Sequence, residues 1–285
     1  MTKPNSSVAD STVVYQLSLL EQAINAPLLV VGYGSPMKAC VKACVKNECS
    51  QIWVTGTKDK EKGFSCSGSA RVALLGDKFD FWYEFKLVVP KGYTRFLGKI
   101  SELTDLGVEV HFFIGNHDIW CGDYLEKECG VILHREPLTC EIYGKEFFLG
   151  HGDGLGDNDR KFKLLRTMFH SKTLQRLFSM LHPRWSVEFG LEWAKHSRLK
   201  REGGREPDYM GEDEEPLVLF SKDYLKSHPD INYFIYGHRH IMLDLMLSRT
   251  SRMMILGDWI TEFSYAVFDG ENMFLEQYIE GETSV

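Results

Sequence analysis

Six side chains suited to metal or phosphate chemistry, Asp77, Asn116, His117, His151, His238 and His240, cluster at the ends of four apolar runs: VALLGDKFD at 72–80, FFIGNHDIW at 112–120, EFFLGHGD at 146–153 and INYFIYGHRH at 231–240. Each run stops on a glycine and then presents carboxylate, carboxamide or imidazole. This donor set lacks thiolate and suits hard or borderline divalent ions such as Mn²⁺, Fe²⁺, Zn²⁺ or Mg²⁺. One ion would leave ligands over, so the set reads as a two-metal site. Two such ions, roughly 3.5–4 Å apart, clamp the attacking and leaving oxygens of an in-line displacement at phosphorus. Asp77 is the candidate bridging ligand. The remaining histidines, His111, His134, His170, His182, His196 and His228, do not follow a glycine at the end of an apolar run. They read as satisfied core or surface residues.

Elements that end this way are buried strands delivering polar loops to one edge of a sheet, which is where α/β proteins keep their sites. Val72 to Leu75 is a short buried strand, and Gly76 lets the chain turn tightly before Asp77. Phe96, Leu97, Ile100 and Leu103 recur at helical spacing over residues 94–106, and Gly107 closes that helix. Val108 to Ile114 is the next strand. Strand, helix, strand is a βαβ unit, whose parallel strands share a carboxyl edge. Glu141 to Leu149 reads as a hairpin about Tyr143-Gly144-Lys145. Arg252–Leu256, Ser264–Phe268 and Met273–Ile279 read as strands, with Asp269-Gly270-Glu271-Asn272 as a turn.

A chain of 285 residues has ample material for a core. Seven cysteines without a regular framework fit a reducing compartment, so the protein is expected to be soluble and intracellular. No apolar run reaches the roughly 20 residues that span a bilayer, and no signal peptide is recognisable. A net charge of −7 argues against nucleic acid as a partner. That average hides a strongly basic stretch. Residues 160–205 hold twelve Lys or Arg against three acids. They lie within an insert of about residues 156–215, where Phe162, Leu165 and Phe169, then Leu174, Phe178 and Leu181, share one face of helices. Such a segment is either a solvated helical face packed on the core or a lid that draws a polyanionic substrate, and an anionic membrane surface, toward the site. Glu212 to Glu215 reads as an exposed loop.

Residues 1–70 have another character: four of the seven cysteines, no histidine and poor periodicity. Val13–Leu20 and Ala26–Val31 could be strands. Cys40, Cys44 and Cys49 lack the paired spacing of structural zinc, so they read as incidental thiols.

In order, GD-x-x-D, GNHD, GHGD and GH-x-H resemble the calcineurin-like metallophosphoesterase superfamily. GDKFDFWYEFK, GNHDIW, HREPL, GHGDGLGDNDRKFK and YGHRHIMLDL, with the basic insert after GHGD, are similar to the UDP-2,3-diacylglucosamine pyrophosphatases of the lipid A pathway, over about residues 71–280. The resemblance implies an α/β fold, a two-sheet metallophosphoesterase sandwich flanked by helices, over residues 71–285 with the insert as lid. It implies hydrolysis of UDP-2,3-diacylglucosamine to UMP and 2,3-diacylglucosamine 1-phosphate, with two divalent ions, usually Mn²⁺, on the cytoplasmic face of the inner membrane in peripheral contact with lipid. By position, Asp77 resembles the bridging ligand, Asn116, His151 and His238 the ligands of the second metal, and His240 a ligand of the first. His117, which stands where other members carry Arg, would act on the phosphate. Asp118 counts with it as catalytic, through hydrogen bonds that orient its neighbours. Asn116, His117, His238, Asp159, Lys163 and Arg166 would contact substrate. Alternatives are a metallophosphoesterase for another ester or nucleotide, and a non-catalytic protein that binds phosphate or lipid.

One departure matters. The family opens with a strand ending in Asp-x-His, which supplies ligands of the first metal. This chain has no histidine before His111, and only Asp10 and Asp59 before Asp77. The expectation is a frameshift or misassigned start within residues 1–70, the frame resuming near Arg71, and little or no hydrolysis. Translating the upstream DNA in the other two frames tests it.

Overall fold

The structure, a computed structural model, describes residues 28–31, 71–105, 107–156, 167–202, 209–258, 262 and 264–277. Strand β2 (Arg71–Leu75) shows how the layers arise from a period of two. Val72 and Leu74 face outward into a core shared with helix α1 (Thr94–Asp105) and helix α2 (Tyr124–Cys129), through Phe96, Ile100 and Leu125. Ala73 and Leu75 face inward, into a second core with Phe147, Leu149, Ile235 and Phe268. A third core packs Phe148, Phe234 and Tyr236 against Leu217 and Val218 of helix α5 (Pro216–Ser227). The outcome is a helix–sheet–sheet–helix sandwich, in keeping with the α/β reading.

The first sheet runs β11 (Met273–Gln277), β10 (Ser264–Phe268), β1 (Leu28–Val31), β2, β3 (Glu109–Phe113), β4 (Ile132–His134). The second runs β5 (Leu138–Ile142), β6 (Lys145–Gly150), β7 (Ile231–Tyr236), β9 (Arg252–Ile255), β8 (Leu243–Met246). β2 and β3 are parallel with Leu75 opposite Phe113, and β6 and β7 are parallel with Gly150 opposite Tyr236. The four motif-bearing strands therefore end at matching heights, two in each sheet. The 141–149 hairpin and the 269–272 turn form as expected, while β4, β8, α2 and α5 have no counterpart in the sequence reading. β1, within the 26–31 run, stands between β2 and β10. The strand expected at 13–20, the thiols of Cys40, Cys44 and Cys49, and Phe162 and Leu165 of the insert lie outside the described residues.

Beyond a helical turn at residues 167–170, the described part of the insert holds α3 (Lys172–Ser179) and α4 (Pro183–Glu202). Phe178 packs on Phe81, Tyr83 and Trp120. The Tyr83 hydroxyl donates to the Gln175 carbonyl at 2.8 Å, and Trp120 Nε1 donates to the Phe169 carbonyl at 2.7 Å. Gly190 of α4 sits on the Phe81 ring, which an added Cβ would meet at 2.5 Å. Leu174 and Leu181, expected to share one apolar face with Phe178, are exposed, and Leu181 lies beyond the end of α3. With Leu177, Met180, Trp185 and Phe189 they leave an apolar surface on the insert. No helix among the described residues is long and apolar enough to cross a membrane.

His111 and His134 prove to be partners, their Nδ1 and Nε2 2.8 Å apart, with Phe113 stacked on His134. Burial lowers the basicity of both rings, and the neighbouring imidazole helps bring His134 down to about 4 from 6.5. Between those values the unfolded chain takes up protons that the folded pair refuses, so stability falls as the pH drops through 6.5 toward 4. Urea midpoints taken from about pH 7 to about pH 5 should show this loss, and His134→Phe should flatten it. An unchanged slope in that variant would refute the assignment.

Candidate metal centre

Four donor atoms converge where the strand ends meet. His151 Nε2 lies 3.2 Å from Asp77 Oδ2, from Asn116 Oδ1 and from His238 Nδ1, and His238 Nδ1 lies 3.1 Å from Asn116 Oδ1. Among the described residues, Asp77, His151 and His238 are the one group of His, Cys, Asp and Glu with metal-ligand spacing. Donor atoms so spaced match the edges of a coordination shell with bonds of roughly 2.0–2.2 Å, so the residues present fit a divalent cation.

The backbone is shaped for this convergence. Asp77, His238 and His240 have positive φ, at 50°, 64° and 54°, a costly conformation for residues with a Cβ. Two glycines make room: a Cβ on Gly76 would meet His151 Nδ1 at 2.2 Å, and one on Gly115 would meet Asp77 Oδ1 at 2.3 Å. His151 Nδ1 donates to the Leu75 carbonyl at 3.2 Å, which turns Nε2 into the site. The carbonyl of His151 accepts from Gly237 N–H at 3.0 Å, joining the GHGD loop to the GHRH loop.

Electrostatics favour the same use. Burial opposes ionisation of both Asp77 and His151, yet their attraction prevails. The imidazoles of His151 and His117 hold the Asp77 carboxyl well below the usual range, and the Asp77 carboxylate pushes His151 up to about 9. A cation binding here must displace the His151 proton.

His117 stands beside the cluster, its backbone N–H donating to Asp77 Oδ1 at 2.7 Å and its Nδ1 2.9 Å from the Asp80 carbonyl. That contact puts the neutral ring's proton on Nδ1 and makes Nε2 the basic nitrogen. Asp118 is fully buried and accepts from the backbone N–H groups of Lys78 and Phe79, at 3.1 and 3.3 Å. It thus braces the loop that carries Asp77. Burial and the Asp77 carboxylate push Asp118 up to about 8.

His240 is not drawn into the donor group: its Nδ1 lies 3.4 Å from Asp258 Oδ2. Sequence reasoning missed Asp258, although it follows Gly257 at the end of the apolar run MMIL, the signal that marked the other four loops. Asp159, Lys163 and Arg166 lie outside the described residues. The reading of Glu212 to Glu215 as an exposed loop needs correction at one position. Glu212, Asp213 and Glu214 are exposed, but Glu215 is fully buried and paired with Arg239.

The chain is 42% identical to a UDP-2,3-diacylglucosamine hydrolase of Porphyromonas gingivalis, over 72% of this chain and 82% of that protein. It is 28% identical to a protein of the same name from Neisseria meningitidis serogroup C, over 70% of this chain and 80% of the relative. Among solved structures, a dimetal phosphatase from Danio rerio aligns with a TM-score of 0.35 and 15% identity, over 73% of this chain and 80% of that one. No family profile matches the chain.

Proposed function

Because the chain belongs to the UDP-2,3-diacylglucosamine hydrolase family, we propose that it hydrolyses the pyrophosphate of UDP-2,3-diacylglucosamine, giving UMP and 2,3-diacylglucosamine 1-phosphate in lipid A biosynthesis. The observation that carries the reading is the meeting of Asp77, Asn116, His151 and His238 from four separate strand ends. A divalent cation held there, Mn²⁺ in this proposal, supplies Lewis-acid polarisation of a phosphoryl oxygen and acidifies an attacking water.

The chain's own residues do the remaining work. His117 Nε2 faces the phosphate, where it stabilises charge developing on oxygen or hands a proton to the departing oxygen. Asp80, through its carbonyl, keeps that ring in register. Asp118 acts at one remove by fixing the loop after Asp77. Asp159, Lys163 and Arg166 are the proposed sugar and phosphate contacts, and the apolar surface of the insert takes the acyl chains and rests on membrane lipid, at the cytoplasmic face of the inner membrane. The family complement is two ions. Asp77, Asn116, His151 and His238 hold one of them, while Asp77 and His240 are what this chain retains for the other, since no Asp-x-His motif precedes Asp77 in its sequence. The second ion is therefore weakly held and turnover is slow.

Release of UMP from UDP-2,3-diacylglucosamine, measured with Mn²⁺ beside the unacylated sugar nucleotide, tests the reading. Release from the acylated substrate above that from the unacylated one supports it. Equal rates would favour a phosphoesterase for soluble nucleotides, and tight substrate binding with no UMP would favour a binding protein.

A further inference from the structure

The insert leaves and re-enters the sandwich through a narrow neck beside the metal loops. Gly156, just after GHGD, packs so closely on the start of α5 that a Cβ there would meet the Pro216 carbonyl at 2.2 Å. Gly152, within GHGD, lies against Leu217 of the same helix. Glu215, immediately before α5, has no solvent exposure, yet it carries a carboxylate. A buried carboxylate persists only when it is paired and hydrogen-bonded. Its partner is Arg239, whose Nε and Nη2 donate to the two carboxylate oxygens at 2.7 and 3.1 Å. Arg239 is the residue between His238 and His240, both of which have positive φ. Its own N–H donates to the Gly237 carbonyl at 2.7 Å, closing a tight turn. A loop with two strained residues in three needs an external constraint, and the two-pronged guanidinium–carboxylate contact supplies one that fixes both direction and distance.

We propose that the contact of half-buried Arg239 with buried Glu215 is a positioning device that holds His238 against Asn116 and His151 and ties the ion-binding loop to the neck of the insert. Arg239 touches neither substrate nor ion. It acts through His238, as outer partners of metal ligands do. The arrangement makes the seating of the insert and the affinity for the cation depend on each other, since both rest on where Glu215 sits. This inference rests on His238 being a ligand.

Titration of the full chain with Mn²⁺ tests it. The pair Glu215→Gln with Arg239→Met leaves no buried charge unpartnered, and it should bind Mn²⁺ roughly 10- to 100-fold more weakly than the parent. Arg239→Lys keeps the charge but loses the fork, so its affinity should fall between the two, and it decides the matter if the double variant does not fold. Lys222→Gln, which breaks an exposed contact of α5 with Glu212, should bind as the parent does. Metal-free melting temperatures of folded variants separate a loosened fold from a misplaced ligand. Parental affinity in the double variant, or in Arg239→Lys, overturns the inference. His238→Ala isolates the premise: parental binding there means that His238 is not a ligand, whereas lost binding there with parental binding in the double variant removes the positioning role alone.

Discussion

Asp77→Asn will lose the tightly held cation and, with it, hydrolysis. Asp77 is the one carboxylate in the described donor group, so the variant offers the ion a carboxamide in its place. The substitution preserves shape and keeps an oxygen to accept from His117 N–H, now 2.7 Å away. Affinity for Mn²⁺ should therefore fall by more than the roughly 10- to 100-fold that the loss of an outer partner costs. The metal-free fold should survive, because the exchange removes a buried charged pair rather than stranding one of its members as an ion: without the Asp77 carboxylate, His151 takes its neutral form. Thermal melts read both effects together. A cation at about 100 times its dissociation constant adds roughly 2.7 kcal/mol to the parent, and that gain should vanish in the variant. A variant that still melts higher with Mn²⁺ would place the ion elsewhere.

The second large effect separates chemistry from metal binding. His117→Ala should lower kcat by a factor on the order of 10²–10⁴, the contribution of a positioned acid–base group. Mn²⁺ binding should persist, since the contact from residue 117 to Asp77 is made by the backbone N–H, which alanine retains. His117→Arg should recover part of the lost rate, because a guanidinium at this position can stabilise charge on the phosphate. Loss of Mn²⁺ in parallel with rate would instead make the imidazole a ligand.

Much of this site is legible in the sequence because strand and ligand are adjacent there. An apolar run, a glycine and a polar residue announce a buried strand and the loop it delivers, and parallel strands ending together do the rest. The α1 helix follows from periodicity in the same way. What local pattern hides is pairing across distance. Glu215 closes the run Glu-Asp-Glu-Glu, which any charge pattern assigns to solvent, and its burial depends on an arginine 24 residues away. Asp118 is expected to orient its neighbours, but the sequence does not name them: its carboxylate is taken by the backbone of Lys78 and Phe79, 40 and 39 residues away. His111 and His134 sit in runs that resemble ordinary core, and only the alignment of β3 with β4 brings the rings together. Whether the apolar face of the insert packs on the core or stays open is hidden in the same way: a helical face predicts that residues share a side, not which surface covers it.

The proposed function requires one complete cation site, built from Asp77, Asn116, His151 and His238, while the other site of the family pair lacks the two ligands of the Asp-x-His motif. The most direct measurement is metal content per chain after loading with Mn²⁺ and exhaustive dialysis, for the parent and for His238→Ala. The parent should retain close to one Mn²⁺ and the variant close to none. Two ions retained by the parent, none retained by it, or equal retention by both proteins would contradict it.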